Sequence, residues 1–167
     1  MSRHKAQSFV LSFYPSTRGY AFAVFEGQGE LFDWGLKEIR APEKNEQTLA
    51  GTRALIDKYR PARIVIENYT EQSSRRSERI KELYAQIERL AEGKQVKVWH
   101  ISRKMLLECF ADSGAETKYT IAQEVARKIP ALAHRLPPKR QIWMSESPLQ
   151  ALFDALALGM AFYEPIS

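Results

Sequence analysis

Between Ala151 and Phe162 the chain reads Ala-Leu-Phe-Asp-Ala-Leu-Ala-Leu-Gly-Met-Ala-Phe, and Asp154 is the one residue there that is neither apolar nor glycine. A helix apolar on nearly all sides belongs in a core. Ser147 as N-cap, Pro148 at the first helical position and Gln150 three residues after the cap open this helix, which runs to about Tyr163. A carboxylate carried into such surroundings is costly unless it meets a cation, a metal or strong donors, or stays protonated. Two readings stay open for Asp154: an internal ion pair or polar crevice, and a functional acid.

A second acid stands at an equally informative place. Arg63-Ile-Val-Ile66 is a short apolar run, as expected for a strand covered on both faces, and Glu67 follows it directly. Ligand sites of open α/β sheets lie at the carboxyl ends of such strands. The next residues, Asn68-Tyr-Thr-Glu-Gln-Ser-Ser-Arg-Arg76, are polar and suited to surround a site. A surface glutamate closing a strand is the plain alternative. Glu67 and Asp154 together suggest a Mg²⁺ or Mn²⁺ site, since hard cations take carboxylate oxygen and the chain has no Cys/His cluster.

The rest of the chain supplies a scaffold. Residues 8–14 and 20–26 are rich in aromatic and β-branched side chains, and Pro15-Ser-Thr-Arg-Gly19 between them is turn chemistry. Gly27-Gln28-Gly29 leads into a third strand over 30–39, so three strands form a meander. Leu49, Leu55 and Ile56 then fall at helical spacing over 45–59, before Pro61. Ile80, Leu83, Tyr84, Ile87, Leu90 and Ala91 mark an amphipathic helix ending near Gly93. A strand over 96–100 and helices over 102–110 and 117–128 complete the order β-β-β-α-β-α-β-α-α-α. The expectation is an α/β domain with a mixed five-stranded sheet.

At 167 residues, this is one domain, residues 1–167. With 44% apolar and 27% charged residues, global disorder and fibrous repeats are excluded. The lone Cys109 cannot form an internal disulfide, which fits a reducing cytoplasm. No apolar run is long enough to span a bilayer, and the basic Met1-Ser2-Arg3-His4-Lys5 start is not followed by a signal-peptide core. The net charge of +5 is unevenly spread. Residues 101–144 carry eight basic side chains against four acidic ones, while residues 145–167 carry three acids and no Lys or Arg. From Val125 to Ser145 there is no acid, and Arg127, Lys128, Arg135, Lys139 and Arg140 interleave with Pro130, Pro137 and Pro138. That stretch reads as an exposed basic loop, either a solvated connector or a phosphate-binding surface.

Four strings in this order resemble the RuvC-type Holliday junction resolvases of the ribonuclease H-like superfamily, across nearly the whole chain. They are Leu11-Ser-Phe-Tyr-Pro-Ser-Thr-Arg-Gly-Tyr20, Ile64-Val-Ile-Glu67, Ser113-Gly-Ala-Glu-Thr-Lys118 and Phe153-Asp-Ala-Leu-Ala157. The resemblance implies a ribonuclease H-like fold, a homodimer, branched DNA as partner and four acids around divalent metal. Two of those acid positions are kept, Glu67 and Asp154. The first, before Pro15, is Tyr14, and the third, three residues before Asp154, is Ala151.

A phenol and a methyl group in place of two carboxylates imply that nuclease activity is lost or severely weakened, with any Mg²⁺ or Mn²⁺ held weakly by Glu67 and Asp154. Binding of nucleic acid remains, with Lys118 as the leading phosphate contact and Arg18, Arg75 and Arg76 beside it. Tyr20, Tyr69 and Trp143 are candidates for stacking on unpaired bases. Two other readings compete. One is an active metal-dependent, structure-specific endonuclease using a rearranged acid set. The other is a protein-interaction scaffold, with the helix around Ile80–Leu90 or the late apolar helix as its dimerising face.

Overall fold

A computed structural model describes residues 8–72 and 74–164; the basic start at Met1–Lys5 lies outside the described residues. Aromatic and β-branched residues form β1 (Phe9–Ser16), β2 (Gly19–Glu26) and β3 (Glu30–Glu38), an antiparallel meander. The link between β1 and β2 is tighter than the turn residues suggest, because both strands extend and leave only Thr17 and Arg18 between them. Gly19 makes this possible. Its φ is +149°, and a β-carbon there would lie 1.9 Å from the Lys37 carbonyl oxygen.

The chain then leaves the meander through α1 (Lys44–Tyr59) and returns as β4 (Arg63–Glu67). A second crossover through α2 (Glu78–Gly93) returns as β5 (Lys97–Ile101). Both crossovers give parallel pairs, β1 with β4 and β4 with β5, so the sheet order is β3-β2-β1-β4-β5. After β5 come α3 (Arg103–Cys109), α4 (Lys118–Lys128) and α5 (Pro148–Tyr163). The mixed five-stranded α/β sheet expected from the sequence is present, with element ends moved by one or two residues.

Side-chain alternation divides the core between the two faces of the sheet. Leu11, Phe13, Ile64 and Ile66 pack with the apolar faces of α1 and α2. Val10, Tyr14 and Val65 point the other way, into a cluster built on α5 and α4. The apolar faces of α2 and α5 are therefore consumed inside the chain, which removes the sequence-level reason for treating either as a dimerising surface. Among the described residues no helix is long and apolar enough to cross a membrane.

Helix α5 lies against the middle of the sheet, and two features set its position. Ser12, fully buried on β1, donates its hydroxyl to the Ala155 carbonyl, which satisfies a polar group that burial would otherwise penalise. Gly159 lets the helix approach Phe25 so closely that a methyl group would fall 2.1 Å from the ring. Gly159→Ala should therefore destabilise the fold by about 1–3 kcal/mol, since the buried Phe25 ring has little room to retreat. Gly93→Ala meets nothing within 4 Å and should cost nothing. Urea unfolding of the two variants, side by side, checks the pair.

Candidate functional site

The register of β1 on β4 pairs Ser12 with Val65, and two residues further along lie Tyr14 and Glu67. Beyond that last pair β1 continues through Pro15 and Ser16 alongside β2. The Ser12–Ala155 bond holds the adjacent Asp154 over the same end of the sheet. Topology alone thus brings together the three positions Tyr14, Glu67 and Asp154, with Ala151 one turn before Asp154 in the same cleft as Tyr14.

Two cations meet at the Tyr14 hydroxyl. Arg76, from the loop before α2, donates to it at 3.1 Å, and Lys118, the first residue of α4, at 3.4 Å. The Arg76 guanidinium also lies over the Tyr14 ring, 4.8 Å from its centroid, and donates to the Pro15 carbonyl. Each cation then takes one of the two acids. Arg76 Nε is 3.6 Å from Glu67, and Lys118 Nζ is 3.4 Å from Asp154 and 3.1 Å from Glu146. Neutral donors join them: Tyr84 gives its hydroxyl at 2.5 Å to the same Glu67 oxygen that faces Arg76, and Gln150 gives its amide at 3.2 Å to the other oxygen of Asp154.

The local sequence explains why Lys118 points inward. Thr117 and Thr120 form a reciprocal cap that fixes the first turn of α4, and Lys118 sits on that turn. A lysine at a helix N-terminus opposes the helix dipole, so it needs acids elsewhere, and Asp154 and Glu146 provide them. Burial works against the Lys118 charge but is outweighed by Asp154, Tyr14 and Glu146, and its pKa is raised. Arg76 is likewise held charged against burial, by Tyr14, Tyr84 and Glu67. Burial, followed by the charge of Asp154, pushes the Tyr14 hydroxyl far above its usual range, so it remains a neutral phenol.

Asp154 shows the strain of this arrangement. Burial raises its pKa to about 6, against the lowering effects of Lys118 and the Gln150 amide. The side chain is only 15% exposed.

The other positions read from the sequence divide by exposure. Arg18 lies in the two-residue turn, exposed, on the rim of the cleft formed by Tyr14, Arg76, Lys118 and Ala151. Arg75 is exposed as well, whereas its neighbour Arg76 is committed to the interior. Tyr20 and Tyr69 are not available for stacking on bases. Tyr20 is buried against Phe13, and Tyr69 is buried on Tyr84 and hydrogen-bonded to Glu88. Trp143 is exposed.

Gln150 and Tyr84 escaped the sequence reading as site residues. Gln150 reads as the third residue of a helix cap, but its amide instead reaches one turn forward to Asp154. Tyr84 reads as part of an apolar helix stripe, yet its hydroxyl ends at Glu67.

No family model matches the chain, and no curated protein does. Solved structures do. Thermus thermophilus RuvC superposes with a TM-score of 0.62 at 16% identity, over 92% of each chain. T. thermophilus RuvC in complex with Holliday junction substrate gives 0.59 at 14% identity, over 92% of this chain and 91% of that one. The yeast mitochondrial Holliday junction resolvase gives 0.61 at 12% identity, over 93% of this chain and 78% of the other.

The fold is RuvC-like. On this RuvC-like frame, the divalent metal implied by the sequence resemblance can be tested against the side chains present. A hard cation needs several oxygen donors turned toward one point. Among the described residues no three Asp, Glu, His or Cys side chains converge that way. The space between the two acids is instead bridged by a guanidinium, an ammonium and a phenol. These residues do not fit a resident divalent cation.

The raised pKa of Asp154 sets a pH dependence. The folded state keeps its proton to about pH 6, while the unfolded chain releases it near pH 4, so between these values the folded state binds more protons. Stability from this group is therefore lost as pH rises from about 4 to about 6. Asp154→Asn removes the titration. Its stability relative to the wild type should climb by about 2–3 kcal/mol across that window and level off above it. Urea unfolding of both proteins at several pH values checks this, and parallel curves would contradict it.

Proposed function

We propose that this chain, acting as one RuvC-like domain over residues 1–167, binds branched DNA without metal-dependent cutting. One observation carries the reading: Arg76 and Lys118 meet at the Tyr14 hydroxyl, each bound to one of the two remaining acids. Glu67 and Asp154 are then remnants of a metal site whose work has passed to fixed cations. With Arg76 and Lys118 paired to Glu67 and Asp154, those acids are screened from a phosphodiester backbone, and the phosphate contacts that supply most of the affinity and need no metal fall to the exposed arginines.

Further support comes from the rim. Arg18 is exposed on the cleft, Arg75 is exposed next to Arg76 in the chain, and the Lys118 side chain is itself about half exposed. The solved RuvC complex with Holliday junction substrate is the precedent for nucleic acid on this fold. A four-way junction is close to two-fold symmetric, and two copies of the chain match that symmetry. The single cysteine suits a reducing compartment such as the cytoplasm.

A second reading, a working endonuclease with Mg²⁺ or Mn²⁺, has one observation in its favour. Glu146 and Asp154 share Lys118, so withdrawal of that lysine would leave two neighbouring carboxylates.

The test is a salt-dependent mobility shift on four-way junction DNA, followed by a Mg²⁺ and Mn²⁺ cleavage assay. Binding should be present at low salt, fall steeply with ionic strength, and weaken severalfold in Arg18→Glu and in Arg75→Glu. Cleavage should be absent in the wild type. Tyr14→Asp combined with Ala151→Asp should create some. No binding at low salt would refute the reading, and wild-type cleavage abolished by Asp154→Ala would establish the second one.

A further inference from the structure

The loop joining the 3-10 turn at Pro130–Arg135 to α5 carries three large apolar side chains in a row. Ile142 is 96% exposed, Trp143 78% and Met144 36%. Isolated exposed apolar residues are ordinary, but a consecutive trio calls for an occupant. The tip is shaped, because the Met144 amide donates to the Gln141 carbonyl at 2.9 Å and Arg140 Nε to the Met144 carbonyl at 2.8 Å. These two bonds close the turn and hold Trp143 at its apex.

The other two tryptophans have ring partners. Arg135 lies over Trp34, 4.7 Å from its centroid, and Phe162 meets Trp99 edge-on at 5.8 Å. Among the described residues no ring or cation packs on Trp143.

Charge decides what this tip fits. Lys139 and Arg140 adjoin it and are exposed, and no acid occurs from Val125 to Ser145. The base of the loop lines a groove with Lys118, Pro137, Pro138, Arg140 and Met144, and Lys118 is the lysine that bridges Asp154 and Glu146. An aromatic apex with cationic shoulders, opening directly onto the candidate phosphate-binding lysine, matches a polyanion with an available π-face. A neutral or basic protein surface would leave Lys139 and Arg140 without partners.

We propose that Trp143 is a stacking finger for an unpaired base, with Lys139 and Arg140 holding the phosphates on either side of it. The proposal rests on the nucleic-acid-binding reading above and narrows it to DNA that presents unstacked bases. Trp143 supplies the face, Ile142 and Met144 shield the stack from water, and the closed turn keeps Trp143 at the apex of the loop.

Fluorescence anisotropy tests this with three labelled DNAs: a fully paired duplex, a fork of the same length with single-stranded arms, and a four-way junction. The wild type, Trp143→Ala and Trp143→Phe are compared at one low salt concentration. Trp143→Ala should weaken fork binding about tenfold while leaving the duplex affinity and its salt dependence unchanged. Trp143→Phe should stay within about threefold of the wild type. Wild-type tryptophan emission should be quenched by the fork and not by the duplex, and that quenching should vanish in Trp143→Ala.

Equal fork binding by the wild type and Trp143→Ala overturns the finger and leaves DNA binding standing. A wild type that binds none of the three DNAs overturns both. If sedimentation shows self-association that Trp143→Ala abolishes, with fork binding unchanged, a second copy occupies the tip and the proposal fails.

Discussion

The hydroxyl of Tyr14 is where the chemistry of this chain is decided. It accepts from Arg76 and Lys118 at once, and because burial keeps the phenol neutral it adds no negative charge to the pair of acids beside it. A carboxylate in the same position would add one, and the combined charge would call for a metal. With the phenol there, two protein cations are enough to serve Glu67 and Asp154, and both are raised in pKa rather than expelled by burial. Tyr84 and Gln150 add a neutral donor to each acid. Buried charges survive when they are paired and hydrogen-bonded in this way.

The scaffold serves that point from several directions. β1 brings Tyr14, β4 brings Glu67, the loop before α2 brings Arg76, the capped start of α4 brings Lys118, and α5 brings Asp154. The Ser12–Ala155 bond and the absent side chain of Gly159 set how closely α5 can lie on the sheet. RuvC superposes over nine-tenths of the chain at 16% identity or less, so it is the arrangement of elements that is shared, far more than the side chains.

Much of this could be read from residues in order. The period-two runs, the helical stripe from Ile80 to Ala91 and the apolar helix around Asp154 each declare their partners through burial, and they yielded the mixed sheet. Glu67 and Asp154 stood out because a charge in apolar company is conspicuous. Their partners did not stand out. Arg76 looks like any arginine in a polar loop, and only the fold shows that it reaches across to β1 and β4. Gln150 and Tyr84 were hidden for a related reason: each already had a complete local explanation, as a cap residue and as core. Tyr20 and Tyr69 failed the other way, since the exposure of an aromatic depends on neighbours distant in the chain, here Phe13 on the adjacent strand and Tyr84 on α2.

The central claim, that fixed cations stand where a metal would be needed, is tested most directly by Mn²⁺ titration followed by electron paramagnetic resonance. The wild type should leave millimolar Mn²⁺ free in solution, and Tyr14→Asp combined with Lys118→Ala should acquire a bound ion. A wild-type chain that binds Mn²⁺ tightly and loses it on Asp154→Ala would contradict the account.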